Sequence, residues 1–174
     1  MSQRVAFNLR EWIDKNRSLL KPPVGNKMVW QDGEFLVMVV GGPNRRKDYH
    51  VEDGAEFFYQ IEGDITLKII DNGVPKEITI REGEIFLLPA GVPHSPQRPA
   101  DTIGLVIERA RDEGETDHLR WFCEKCGSEL HDSSFELKDL GTQLKPIIED
   151  FFADSGKRTC RKCGAVMEPP APPK

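Results

Sequence analysis

The sequence predicts an all-β dominated fold, an antiparallel sandwich or barrel, with one leading helix and a small cysteine-bearing segment at its C-terminal end. Three observations carry this. Short apolar or alternating runs recur from Val29 onward, Gly, Asn and Pro turns separate them, and all four cysteines fall after residue 120.

Taken in order, Asn8 is a plausible N-cap with Glu11 at the third helical position. Leu9, Trp12, Ile13, Leu19 and Leu20 recur at helical spacing until Pro22 and Pro23 end the run. Strand-like runs follow as FLVMVV (35–40), ITLKII (65–70), EITI (77–80), EIFLLP (84–89) and IGLVIE (103–108), with turns at Asp71-Asn72-Gly73, Arg81-Glu82-Gly83 and Pro89-Ala90-Gly91. The polar stretch RARDEGET reads as a linker. A helix is expected around Pro146 to Ala153, where Ile147, Ile148, Phe151 and Phe152 share helical spacing, and MEPPAPPK reads as a Pro-rich, disordered tail. The organisation is then 1–110 β domain with its helix, 111–119 linker, 120–167 cysteine module and 168–174 tail, without internal repeats.

At 174 residues the chain is long enough for one well-buried core and too short for two full-sized domains. None of its apolar stretches approaches membrane-spanning length. A formal charge of −5 offers no field for phosphate backbones, which argues against a nucleic-acid partner and for small molecules. MSQRVAFNLREW lacks a secretory apolar region and the cysteines form two tight pairs, so the expected location is the cytoplasm.

Two histidines of the β region have neighbours of the kind a metal site needs. His50 precedes Glu56 by six positions, Glu56 is followed by six residues and Gly63, and His94 ends a G-x5-P-x-G-x2-H block formed by Gly83, Pro89, Gly91 and His94. A lone strand histidine is more often a hydrogen-bonded core or surface residue than a ligand. The two blocks together resemble the paired motifs of the cupin family, which implies a double-stranded β-helix, the jelly-roll barrel. Two imidazoles and one carboxylate on one face of a metal leave positions open for substrate and O2, the ligand set of non-heme Fe(II) oxygenases. In extended backbone Arg46, Asp48 and His50 project together, as do Glu56, Phe58 and Gln60.

The cupin pattern is broken in two places. Asp48 stands where the first motif usually has a histidine, and Arg98 where the second usually has Asn; the first change leaves three protein ligands, and the second supplies a planar fork suited to a carboxylate. With KPPVGN (21–26), VVGGPNRRKDYH (39–50), EFFYQIEG (56–63), IFLLPAGVPHSPQRP (85–99) and LVIER (105–109), the chain resembles the bacterial 3-hydroxyanthranilate 3,4-dioxygenase family over nearly its whole length. The resemblance implies extradiol opening of a small aromatic acid by O2, with Fe(II) held by His50, Glu56 and His94. It implies that Arg98 binds the substrate carboxylate, that Arg46 lines the O2 and substrate pocket, that Glu108 hydrogen-bonds the amino or hydroxyl edge, and that Glu56 binds substrate as well as metal. Asn26, Asp48, Phe58 and Pro96 match positions near the pocket, Val24, Phe58 and Val106 are candidates for an apolar wall, and a homodimer is the expected assembly. Without the resemblance, Arg46 reads as a solvated charge in a basic run and Arg98 as a surface loop residue. Glu108 differs, because it ends an apolar strand whose Gly104 and Val106 share its face, and a carboxylate there is costly unless paired or used.

Cys123-x2-Cys126-Gly and Cys160-x2-Cys163-Gly form two knuckles, a strong signal for a closed tetrahedral Zn or Fe site. The pattern resembles rubredoxin. A structural clip, an electron-transfer iron and a nucleic-acid zinc ribbon are all compatible with it; a closed site and an acidic chain favour the clip. For the barrel, a ligand-sensing cupin without oxidation and a dioxygenase for another aminophenol or catechol acid are the rival readings.

Overall fold

The computed structural model describes residues 5–22, 25–138 and 140–171. Helix α1 (Leu9–Asn16) opens the fold, and its Asn8 cap accepts a hydrogen bond from the Glu11 amide at 3.1 Å, as the sequence expects. Nine strands follow: β1 (Asn26–Trp30), β2 (Phe35–Gly41), β3 (Asp48–Val51), β4 (Glu56–Glu62), β5 (Ile65–Asp71), β6 (Val74–Ile80), β7 (Ile85–Leu88), β8 (His94–Gln97) and β9 (Ile103–Arg109). Then come β10 (Asp117–Phe122), β11 (Glu129–Phe135), α2 (Leu140–Ala153) and α3 (Ser155–Arg158).

The strands form two antiparallel sheets, ordered β1-β2-β9-β4-β7 and β11-β10-β3-β8-β5-β6. Strand alternation decides what each face meets. Met38, Phe58, Leu88 and Val106 from the first sheet and Ile65, Leu67, Ile69 and Ile80 from the second pack into one buried cluster, so the sheets close on each other as a cupin barrel. On β2 the neighbour of Met38, Val39, points the other way and is covered by Ile13 of α1 together with Leu20 and Ile103. Burying a side chain such as Ile13 contributes about 1.5–3 kcal/mol, which is what fixes α1 to the outer face of the first sheet.

All five strand runs read from the sequence coincide with strands, EIFLLP overrunning β7 by one residue at each end. The second helix begins earlier than expected, at Leu140, with Pro146 inside it. Residues 117–119, which the sequence groups with the linker, already belong to β10. That strand pairs antiparallel with β3 through His118↔Val51, Leu119↔His50, Arg120↔Tyr49 and Trp121↔Asp48, and β11 adds outside it. Hydrogen bonding therefore runs from the barrel straight into the cysteine-bearing segment. Beyond it, Trp121 stacks on Phe151 of α2 at 4.1 Å between ring centroids, and Leu119 and Met167 complete a third buried cluster. Of the Pro-rich tail, residues 172–174 lie outside the described residues. No helix among the described residues is long and apolar enough to cross a membrane.

Candidate metal centre

The barrel interior carries a polar patch beside its apolar cluster. His50 and His94 are register partners on β3 and β8 of one sheet, and Glu56 opens β4 of the facing sheet opposite Glu108 of β9. The ligand atoms of His50, Glu56 and His94 all lie within 4.8 Å of one another, and all three residues are buried. The loop carrying His94 is pinned to the first motif by Gly91, whose amide donates to the Glu52 carbonyl at 2.8 Å from a backbone with φ +72°.

Hydrogen bonds around the rings decide which nitrogens are left free. His50 Nε2 donates to Asp117 Oδ2 at 2.7 Å, leaving Nδ1 with its lone pair, while His94 Nδ1 donates to the Val92 carbonyl at 3.1 Å, leaving Nε2. His94 Nε2 then sits 2.6 Å from Glu56 Oε2. With the His94 proton on Nδ1, two lone pairs face each other at that contact, which only a proton or a cation can bridge. Two imidazole lone pairs and a buried carboxylate oxygen fit a divalent cation of the transition series, and they leave part of its coordination sphere open.

The electrostatics agree. Burial, reinforced by the Glu108 carboxylate, pushes Glu52 up to about 10, and burial with the Glu56 charge pushes Glu108 up to about 7. Burial also lowers Arg98 to about 10, which leaves it charged at neutral pH. Its Nη1 donates to Gln60 Oε1 at 3.3 Å, and its Nε has no partner among the described residues. Such a guanidinium is a ready receptor for an anionic ligand.

The remaining expected residues take definite places. Arg46 donates to Asp48 through Nε at 3.0 Å and through Nη2, and Asp48 is buried two positions before His50 on β3. The Phe58 ring lies edge-on to His94 at 6.3 Å, and Val106 is buried beside it in the barrel cluster. Pro96 follows His94 by two positions on β8, opposite Leu67. Asn26 starts β1 and lines a cleft of about 400 Å³ that also includes Leu36 and Arg111. Val24 lies outside the described residues.

Sequence reasoning misses Glu52, Arg111 and Asp117. Arg111, taken for linker, is buried with Nη2 2.6 Å from Asp117 Oδ2 and 2.9 Å from Glu52 Oε2, and Nη1 3.2 Å from Glu108 Oε1. A signal for two of them exists in retrospect. Glu52 stands two positions beyond His50, and Asp117 alternates with Leu119 and Trp121, so each is a carboxylate in phase with an inward face.

The cysteines form a second candidate site. Cys123 Sγ lies 3.6 Å from Cys163 Sγ, as does Cys126 Sγ from Cys160 Sγ, and all four sulfurs fall within 4.8 Å of one another. A tetrahedron with metal–sulfur bonds of about 2.3 Å has edges of about 3.8 Å, which this cluster matches. Both knuckles close alike: the amides of Gly127 and Gly164 donate to the carbonyls of Cys123 and Cys160 at 2.8 and 2.9 Å.

Residues 1–152 match the model of the 3-hydroxyanthranilic acid dioxygenase family. The chain belongs to that family. Among its relatives in the 3-hydroxyanthranilate dioxygenase family, the 3-hydroxyanthranilate 3,4-dioxygenase of Xanthomonas euvesicatoria is 52% identical over 166 residues, covering 95% of this chain and 93% of the relative. That of Bacillus cereus is 49% identical over 163 residues, covering 93% and 91%. The solved structure of a cupin-2 domain containing protein from Shewanella frigidimarina aligns with a TM-score of 0.49 at 20% identity, over 60% of this chain and 95% of that one.

Proposed function

We propose that this family member is an Fe(II)-dependent extradiol dioxygenase that converts 3-hydroxyanthranilate and O2 to 2-amino-3-carboxymuconate semialdehyde, which cyclises without an enzyme to quinolinate, a precursor of NAD. The observation that carries the reading is a buried His50–Glu56–His94 set with Arg98 and Glu108 in the same barrel interior. His50, Glu56 and His94 would hold the iron, which when bound supplies open positions for both reactants and a route for electrons between the aromatic ring and O2.

The chain's own residues account for the rest. Arg98, charged and short of a partner at Nε, takes the ring carboxylate and so sets which edge of the substrate faces the ligands. Glu108, raised to about 7 by burial and Glu56, is placed to accept a proton from the hydroxyl or amino edge as the substrate binds. Arg46, held by Asp48, lines the substrate and O2 side. Phe58 and Val106 exclude water, which strengthens the arginine contacts by lowering the local dielectric.

The four cysteines serve as a closed structural clip carrying Zn or Fe, because a site without an open position takes no part in ring opening. Unpaired thiols placed for metal suit a reducing cytoplasm. The outer face of the first sheet leaves Phe35, Ile85 and Leu87 exposed, and this supports a homodimer covering that face.

The test is anaerobic loading with Fe(II), then addition of 3-hydroxyanthranilate in air while O2 uptake and semialdehyde absorbance are followed. Equal consumption of O2 and substrate, lost in His94→Ala, is the expected result. A filled site with no turnover would move the reading to another aromatic acid or to a sensor.

A further inference from the structure

Arg111 lies three residues beyond Glu108, in a loop whose sequence promises nothing but solvent. The loop folds back on itself: the Glu115 amide donates to the Asp112 carbonyl at 3.1 Å, and Arg109 Nη2 donates to Glu115 Oε1 at 2.6 Å. This closure turns the Arg111 side chain inward, where only 8% of it is exposed, against Glu52, Glu108 and Asp117, each with 2% of the side chain exposed. Every face of the guanidinium is occupied. Nε donates to Asp117 Oδ1 at 2.9 Å, Nη2 to Asp117 Oδ2 at 2.6 Å, and Nη1 to the Arg109 carbonyl at 2.9 Å, while Glu52 and Glu108 stand at 2.9 and 3.2 Å.

We propose that Arg111 is a positioning residue for the metal centre: one buried guanidinium fixes Glu108 relative to Asp117, and through Asp117 it fixes the ring of His50. The chain of contacts is short and continuous. Asp117 has both oxygens engaged by Arg111 and accepts from His50 Nε2 through one of them. A carboxylate so held cannot rotate away from the imidazole, so Nε2 of His50 stays committed to it and the ring keeps one orientation, with Nδ1 the nitrogen left free for a metal. The same cation holds Glu108 at the end of β9, opposite Glu56. The inference deepens the proposed function in giving Glu108 a substrate to meet; its statement about His50 needs no substrate.

The geometry asks for arginine rather than for positive charge. N–H donors in a rigid plane serve both Asp117 oxygens, Glu108 and the Arg109 carbonyl in different directions with the Glu52 carboxyl alongside, and a lysine ammonium is a single point that cannot span them. If the role were charge balance alone, Arg111→Lys would suffice.

The experiment measures Fe(II) affinity of the full chain, anaerobically and with the cysteine site kept loaded with zinc, for wild type, Arg111→Lys, Asp117→Asn and the double variant. Loss of a hydrogen-bonding partner behind a metal-binding histidine typically weakens metal binding by roughly 10–100-fold. We expect about tenfold or more from either single change, a double variant no weaker than about the larger single, and a fall in kcat for Arg111→Lys beyond any rise in KM. Wild-type Fe(II) affinity in Arg111→Lys, or strictly additive losses in the double variant, would overturn the proposal. Should Arg111→Lys fail to fold, wild-type affinity in the nearly isosteric Asp117→Asn overturns it alone. Absence of turnover in wild type with its metal affinity intact would refute the proposed reaction and leave the Arg111 result readable.

Discussion

Gly104→Ala tests the placement of Arg98 without touching it. A Cβ built at Gly104 would lie 2.8 Å from Gln60 Oε1 and 2.9 Å from Arg98 Nη1, where ordinary contact begins at 3.4 Å. Both groups must therefore retreat by about half an ångström, and both are buried, with 1% and 3% exposure, so neither has open space to enter. Overpacking of this kind costs about 1–3 kcal/mol. If the cost falls on the guanidinium proposed to receive the substrate carboxylate, kcat/KM drops roughly 5- to 150-fold, at about 1.4 kcal/mol for each factor of ten. The carboxylate is remote from the bond that opens, so the loss belongs in KM, with kcat and bound iron little changed. Steady-state kinetics on 3-hydroxyanthranilate, with iron content and the urea unfolding midpoint as controls, measures it. A folded, iron-loaded Gly104→Ala protein whose KM stays within twofold of wild type would refute the argument that Gly104 is small in order to admit Arg98.

Three further outcomes follow from the same geometry. Arg98→Lys keeps a charge and loses the fork, so KM should rise by about 10- to 150-fold, the equivalent of the roughly 1.5–3 kcal/mol of a hydrogen bond to a charged group, with iron binding intact. Phe151→Ala removes the partner stacked on Trp121 at 4.1 Å and should lower unfolding free energy by about 3–5 kcal/mol in urea titrations. Arg17 donates to Glu62 at 2.7 and 2.9 Å and holds its carboxyl below the usual range, so this pair stabilises the fold above that range and stops doing so as pH falls through the Glu62 pKa. Glu62→Gln should thus cost about 0.5 kcal/mol near neutral pH, a value discounted for solvent screening, and nothing measurable once Glu62 is protonated; a loss that persists in acid would contradict the pairing.

The parts of the fold legible in the sequence are those where the chain obeys one period. β5 alternates and β2 and β9 are short apolar runs bounded by turn residues, and each is found where expected. β3 and β8 read DYHV and HSPQ, four residues apiece, and carry the metal-ligand candidates on their inward face, so hydrophobic alternation is missing because the site has displaced it. Glu108 announced itself as a carboxylate in an apolar strand. Arg111 could not, since a charge inside RARDEGET looks the same whether it meets water or three buried carboxylates. The register that brings Asp117 to His50 joins residues 67 positions apart, and spacing rules for local motifs do not reach so far.

The addition of β10 and β11 to the barrel has a consequence for the free protein in solution. Had the sheet ended at β3, the strand bearing His50 would present its unpaired backbone groups to any passing chain. β10 covers that strand, and the new border is β11, whose ELHDSSF sequence is mostly charged or polar and buries none of its residues fully. A border of this composition is a poor template for intermolecular pairing. The cysteine-bearing segment therefore guards the barrel against self-association through its most function-laden edge, a protection that any truncation made to isolate the barrel would remove.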